Sequence, residues 1–230
     1  MRASPTAALW RLLVAAGCGL LLASCGSPPQ TSTPTTPAAD RNLGPRTFVY
    51  DGGQVTVESS RSPCRLTLRG SIHNGTVKRM GQALGEVEKA GCGAKELVLD
   101  GSDGVIGDAI TLGAMLKNRG YQTALQPGSQ CGTPCLLVFA AGRERLVPEA
   151  PRPAQLAFTQ IPPDQDFGRG VCETELTPGQ AQTLTRYLRA MLPPATAQAV
   201  YQRLLAADCR TTARLGPAEA LALGLATATR

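Results

Sequence analysis

Histidine occurs once in the 230 residues, at His73, and no lysine follows Lys117. The side chains that most readily take up a proton near neutral pH are therefore scarce, and base-assisted chemistry in the second half of the chain lacks its usual agents. Aromatic residues make up only 4% of the chain, and the single tryptophan, Trp10, falls in a leader segment. There are four lysines, the other basic residues are scattered arginines, and no basic run is interleaved with aromatics. That pattern argues against nucleic acid as a partner. The formal net charge of +6 becomes +4 (6 − 2) once Arg2 and Arg11 depart with the leader. A chain that is 43% hydrophobic and 17% charged suits one compact domain able to sustain its own core.

Residues 1–24 place Arg2 and Arg11 ahead of an apolar stretch through Leu22. The stretch is too short for a spanning helix and reads as an export signal. It ends in Leu22-Ala23-Ser24-Cys25, which matches the bacterial lipobox, so Cys25 is the expected lipidation site. An ordinary secretory peptide beside an unrelated cysteine is the alternative. Residues 25–45, rich in Ser, Thr and Pro, have too little apolar surface to fold and read as a flexible tether. The folded domain is expected over 46–230. Gly26, rather than Asp, follows the anchor. In a cell with two membranes that favours the periplasmic side of the outer membrane, with the membrane as partner through the lipid on Cys25.

Of eight cysteines, Cys18 leaves with the leader and Cys25 becomes the anchor. Cys64, Cys92, Cys131, Cys135, Cys172 and Cys209 remain, an even number in an exported chain, which points to disulfides. Six cysteines leave fifteen pairings open. Zinc is the rival reading, but the Cys131/Cys135 pair has no second close pair and no histidine nearby. No metal and no other cofactor is expected.

The hydrophobic pattern alternates strand and helix. Thr47 to Ser59 forms a hairpin about Asp51-Gly52-Gly53, and Arg65 to Ile72 a strand with Leu66, Leu68 and Ile72 on one side. Asn74-Gly75 reads as a turn, with Thr76 capping a helix that carries Val77, Met80, Leu84 and Val87. Glu96 to Asp100 is a short buried strand. After Gly101-Ser102-Asp103-Gly104, a helix runs to Asn118 or Arg119, and Tyr121 to Leu125 is the next strand. Such βαβαβ order predicts an α/β fold with a mainly parallel sheet. Leu156 to Ile161 is the one strand expected between Pro151 and Val171. The C-terminal part reads as helical, over Thr177-Pro178 to Met191, Ala195 to Ala207 and Pro217 to Leu223.

Four stretches from Leu66 to Thr227 carry a resemblance. They are Gly70-Ser71-Ile72 with Gly75-Thr76, Leu97 through Gly104, Cys131-Gly132-Thr133-Pro134-Cys135 through Gly142, and Leu215-Gly216-Pro217-Ala218-Glu219-Ala220 through Ala226. In order and spacing they resemble the superfamily of Clp protease proteolytic subunits and crotonases, and most of all its small exported, Clp-protease-like members. The resemblance implies a ClpP/crotonase-like βαβ spiral. In active peptidases of this kind a serine opening a helix attacks the carbonyl, backbone N–H groups near a Gly-Gly turn hold the oxyanion, and a histidine is the base.

This chain departs from that pattern at each point. Thr133 stands at the nucleophile position, and Pro134 after it suits the first helical turn, so Thr133 is expected to be the N-cap and to accept a backbone N–H. Thr159 replaces the family histidine and has no proton affinity near neutral pH. His73 reads as a surface turn residue. Lys78, Lys89, Lys95 and Lys117 all precede Thr133, which closes the Ser–Lys route of a related branch. Asp103 precedes Gly104 in the oxyanion turn, where its carboxylate would oppose developing negative charge. Acyl-CoA chemistry is disfavoured by the exported setting, and Glu173 with Glu175 reads as a solvated pair.

Under this fold Cys64 and Cys92 precede neighbouring parallel strands and are expected to pair, Cys131 with Cys135 would staple the nucleophile turn, and Cys172 with Cys209 would tie the late loop to the tail. A redox-active Cys131/Cys135 pair is the alternative. The expected function is a non-catalytic binding or scaffold role toward a peptide or protein. The alternative is a residual serine/threonine-type peptidase using Thr133. Relatives of this fold often form trimers or rings, so a homo-oligomer is a further expectation.

Overall fold

A computed structural model describes residues 44–101, 103–160, 175–208, 210 and 212–230. The chain enters as a hairpin of β1 (Arg46–Tyr50) and β2 (Gly53–Glu58), in which Tyr50 pairs with Gly53 across the turn. Strand β3 (Cys64–Gly70) runs antiparallel to β2. Helix α1 (Asn74–Lys89) then crosses over to β4 (Lys95–Asp100), and α2 (Ile106–Asn118) to β5 (Gln122–Leu125); β3, β4 and β5 pair in parallel. Beyond them come β6 (Gln130–Cys131), α3 (Thr133–Ala140), β7 (Arg145–Val147) and β8 (Gln155–Phe158). The last elements are α4 (Pro178–Met191), α5 (Pro194–Ala206), β9 (Ala213–Leu215), α6 (Pro217–Ala222) and β10 (Ala228–Thr229). The central sheet has the order β1-β2-β3-β4-β5-β7-β10, parallel from β3 onward, and β6-β8-β9 form a separate small sheet.

Burial follows from covering. In β3, Leu66 and Leu68 alternate into the core, whereas Glu96 to Leu99 of β4 are all buried because this central strand is covered on both faces. Helix α1 buries one stripe: Thr76, Met80, Ala83, Leu84 and Val87. Helix α3, Thr-Pro-Cys-Leu-Leu-Val-Phe-Ala, is buried at every residue and packs against α2, α4, β5 and β8. Only a helix enclosed by other elements tolerates that composition. Tyr187 of α4 seals one contact by donating to the Leu137 carbonyl at 2.7 Å. Its hydroxyl lies where a Cβ on Gly113 of α2 would come within 1.8 Å, so only glycine admits it.

Two local readings need correction. Helix α1 begins at Asn74, and its N-cap is His73 rather than Thr76. The His73 Nδ1 accepts from the Gly75 amide at 3.0 Å, and Thr76 Oγ1 accepts from the His73 amide at 3.1 Å, a reciprocal capping box. With Nδ1 accepting, Nε2 carries the proton and donates to the Asp51 carbonyl in the β1–β2 turn at 2.5 Å. His73 is thus the bolt between hairpin and helix, with both ring nitrogens engaged. The short strands β6, β7, β9 and β10 lie in segments that show no strand pattern of their own.

A disulfide joins Cys64, the first residue of β3, to Cys92 just before β4, with Cα atoms 6.0 Å apart. On the far side, Arg145 is buried without a carboxylate. Its guanidinium donates to the carbonyls of Gly142, Gly224 and Leu225, and burial pushes its pKa below the ordinary range. These bonds pin β7 to the C-terminal segment.

Burial raises the pKa of the Tyr50, Tyr121 and Tyr187 phenols. In the unfolded chain they ionise near about pH 10, as an ordinary phenol does, while the fold retains their protons. The stability they confer is therefore complete below about pH 10 and is lost as pH rises toward the raised folded values. The urea midpoint is expected to stay level from about pH 8 to about pH 9.5 and to fall from there to about pH 11; a midpoint level through the upper part of that range would contradict the burial of these phenols.

Candidate functional site

The small sheet builds the site. Strands β6 and β8 run parallel with Gln130 opposite Gln155 and Cys131 opposite Leu156. Two residues past Cys131 the chain turns into α3 at Thr133, and three residues past Leu156 the chain after β8 reaches Thr159. The positions that resemble nucleophile and base are brought together by strand pairing.

Their contact is reciprocal. The Thr133 hydroxyl donates to the Thr159 carbonyl at 2.6 Å and accepts from the Thr159 amide at 2.9 Å. The Thr159 hydroxyl lies 3.2 Å from the Thr133 hydroxyl and 3.1 Å from the Thr133 amide, which donates to it. A hydroxyl has one proton and two lone pairs. With Thr159 Oγ1 donating, all three on Thr133 are engaged by a single residue. Thr133 is fully buried, and no titratable side chain contacts its hydroxyl among the described residues.

The expected capping role is corrected here. Gly132 is the N-cap of α3, Thr133 is the first helical residue, and no side-chain cap bond is made. The hydroxyl turns away from the helix because Thr159 offers it both a carbonyl and an amide. A disulfide between Cys131 and Cys135, both buried, closes the turn around it, with Cα atoms 5.2 Å apart.

Opposite lies the turn containing Asp103 and Gly104. Ile72, just beyond β3, donates its amide to the Asp103 carbonyl and accepts from the Val105 amide, both at 2.8 Å. Gly104 has φ +144°, and a Cβ there would come within 2.0 Å of the Ile72 carbonyl oxygen, so the close approach demands glycine. The Asp103 carboxylate leans toward the nucleophile turn: a Cβ on Gly132 would lie 2.6 Å from Asp103 Oδ1 and 3.4 Å from Thr159 Oγ1. A carboxylate therefore borders the turn that leads into α3. Between the walls is a cleft of about 500 Å³, lined by Gly70, Ser71, Asp103, Gly132, Thr159 and Arg214 among others.

Cys25, Cys172, Cys209 and Glu173 lie outside the described residues, and Glu175 is exposed. The His73 imidazole is committed to its helix cap and the hairpin turn.

The architecture is similar to that of several solved structures. A serine-to-alanine mutant of the membrane-bound stomatin-specific protease 1510-N matches at TM-score 0.53 and 12% identity, over 72% of this chain and 77% of that one. A monofunctional enoyl-CoA isomerase from M. smegmatis matches at TM-score 0.52 and 17% identity, over 76% of each chain. An enoyl-CoA hydratase from Shewanella pealeana matches at TM-score 0.51 and 14% identity, over 76% of this chain and 68% of that one. The fold is ClpP/crotonase-like. No protein-family model matches the chain, and no curated protein matches it in sequence. On this ClpP/crotonase-like frame the mutual Thr133–Thr159 bonding is a feature that residue-by-residue resemblance could not supply, since it depends on how both hydroxyls and the Thr159 backbone face each other. The one signal in the sequence is that threonine stands at both positions.

Replacing Thr133 by Val keeps the shape and removes the hydroxyl, leaving the Thr159 amide and carbonyl without that partner. The expected loss is up to about 1–3 kcal/mol in all, because Thr159 is half-buried beside the cleft and water can replace part of the lost bonding. Thr133→Ser keeps the hydroxyl and should cost less, about 1 kcal/mol for the missing methyl. Urea unfolding distinguishes them; Thr133→Val as stable as the parent would show the hydroxyl to be free.

Proposed function

We propose that this chain is a lipid-anchored protein of the bacterial cell envelope, held through Cys25 at the periplasmic side of the outer membrane, whose domain binds a peptide or protein partner without performing chemistry on it. The observation that carries the non-catalytic reading is the saturation of the Thr133 hydroxyl by Thr159. A nucleophile needs a free lone pair directed at the substrate and an acceptor for its proton. This hydroxyl spends its proton on a backbone carbonyl and its lone pairs on an amide and a second hydroxyl. The Asp103 carboxylate adds charge of the wrong sign for an oxyanion.

The export reading draws on the leader, the Ser/Thr/Pro tether and the even set of cysteines, and the two disulfides within the described residues agree with an oxidising compartment. A peptide ligand is favoured because the cleft is open and polar and because one neighbour, a lysine-to-alanine mutant of the same stomatin-specific protease (TM-score 0.50, 11% identity, 72% of this chain and 73% of that one), is bound to a substrate peptide.

The mature protein is expected in the membrane fraction, from which Cys25→Ala should release it. Purified in detergent, it should neither cleave unfolded casein nor react with a fluorophosphonate probe. Cleavage or labelling that disappears in Thr133→Ala would replace this reading with a residual threonine peptidase, and membrane retention of Cys25→Ala would refute the anchor.

A further inference from the structure

The groove beside Thr133 and Thr159 consists of two cavities that share a wall. The first, about 500 Å³, extends from Ser71 to Arg214; the second, about 580 Å³, is bounded by Val105, Pro134 and Asp208. Asp103, Thr159 and Thr212 line both. The charges are unevenly placed. Arg214 borders only the first cavity, Asp208 only the second, and Asp103 both. The Asp103 carboxylate therefore edges the second cavity, which Val105 and Pro134 also line. Asp208 Oδ1 accepts from the Arg210 amide at 2.7 Å, which aligns that carboxylate. The exposed Asp103 carboxylate has no hydrogen-bond or ion-pair partner among the described residues.

An apolar-walled recess edged by a carboxylate suits a side chain with a long aliphatic stem and a cationic head. The stem covers Val105 and Pro134 while the head stays hydrated beside Asp103. A neutral side chain of the same length gains only the apolar contact, and an acidic one is repelled, so the charge discriminates in both directions. Asp103 is held in position from behind: the Asp103 carbonyl accepts from Ile72, and the turn is fixed by the close approach of Gly104 to the Ile72 backbone.

We propose that this groove selects an extended peptide segment carrying a lysine or arginine, whose cationic head meets Asp103 in the second cavity. The inference rests on the peptide-binding reading above and adds the chemistry of the ligand.

The test uses the full mature chain in detergent and fluorescein-labelled, N-acetylated heptapeptide pools. The central residue is fixed as lysine, norleucine or glutamate, and the other positions are randomised among Ala, Val, Leu and Ser. By fluorescence anisotropy the lysine pool should bind about two- to five-fold more tightly than the norleucine pool, the order expected of one exposed ion pair. The glutamate pool should be weakest, and the lysine advantage should shrink with added salt. In Asp103→Asn, an exposed substitution whose fold is checked by circular dichroism, lysine and norleucine pools should become equal. Equal binding of these pools by the parent protein, or a lysine preference that survives in Asp103→Asn, overturns the charge assignment while leaving peptide binding intact. Absence of binding by every pool overturns both readings. Cleavage of a bound pool overturns only the non-catalytic one.

Discussion

The whole functional reading turns on how one hydroxyl, that of Thr133, satisfies its hydrogen-bonding capacity. In a buried site every donor and acceptor left unmatched costs free energy, so a hydroxyl placed against an amide and a carbonyl will pair with them. Thr159 presents both, together with its own hydroxyl. The same bonds that stabilise the junction of α3 and β8 remove the lone pairs that chemistry would need. Stability and reactivity compete here for one atom, and in this chain stability has it.

The rest of the fold supports that junction. The β6–β8 register sets which residues meet, the Cys131–Cys135 disulfide closes the turn, and enclosure of α3 on all sides holds Thr133 away from solvent. Arg145 bolts β7 to the C-terminal segment by donating to the Gly224 and Leu225 carbonyls, and His73 bolts the N-terminal hairpin to α1. The turn after β4 requires glycine at 104 because the Ile72 backbone passes so close. Its neighbour Asp103 is exposed, with its carbonyl bonded to the Ile72 amide and its carboxylate directed toward Gly132.

How much of this could be read from the residues alone varied with the range of the interaction. Strand alternation in Leu66 and Leu68, the stripe from Met80 to Val87 and the Thr177-Pro178 helix start are local signals, and β3, α1 and α4 stand where those signals place them. Strands of two or three residues, such as β6, β7 and β10, owe their existence to partners far along the chain and carry no pattern of their own. The His73 cap was illegible because histidine is not among the favoured caps and its second bond reaches Asp51. Thr133 read as a cap for a sound local reason, the proline after it. A tertiary partner twenty-six residues away, Thr159, claimed the hydroxyl instead.

The β-methyl of Thr133 would also hinder attack, so a parent protein that takes no label would not by itself separate crowding from the want of a proton acceptor. Fluorophosphonate labelling of Thr133→Ser, followed by mass spectrometry of the modified peptide, separates them. With the methyl gone and the hydroxyl still held by Thr159, no label should appear at residue 133. Covalent modification of that serine would show that a base reaches it, and would contradict the account.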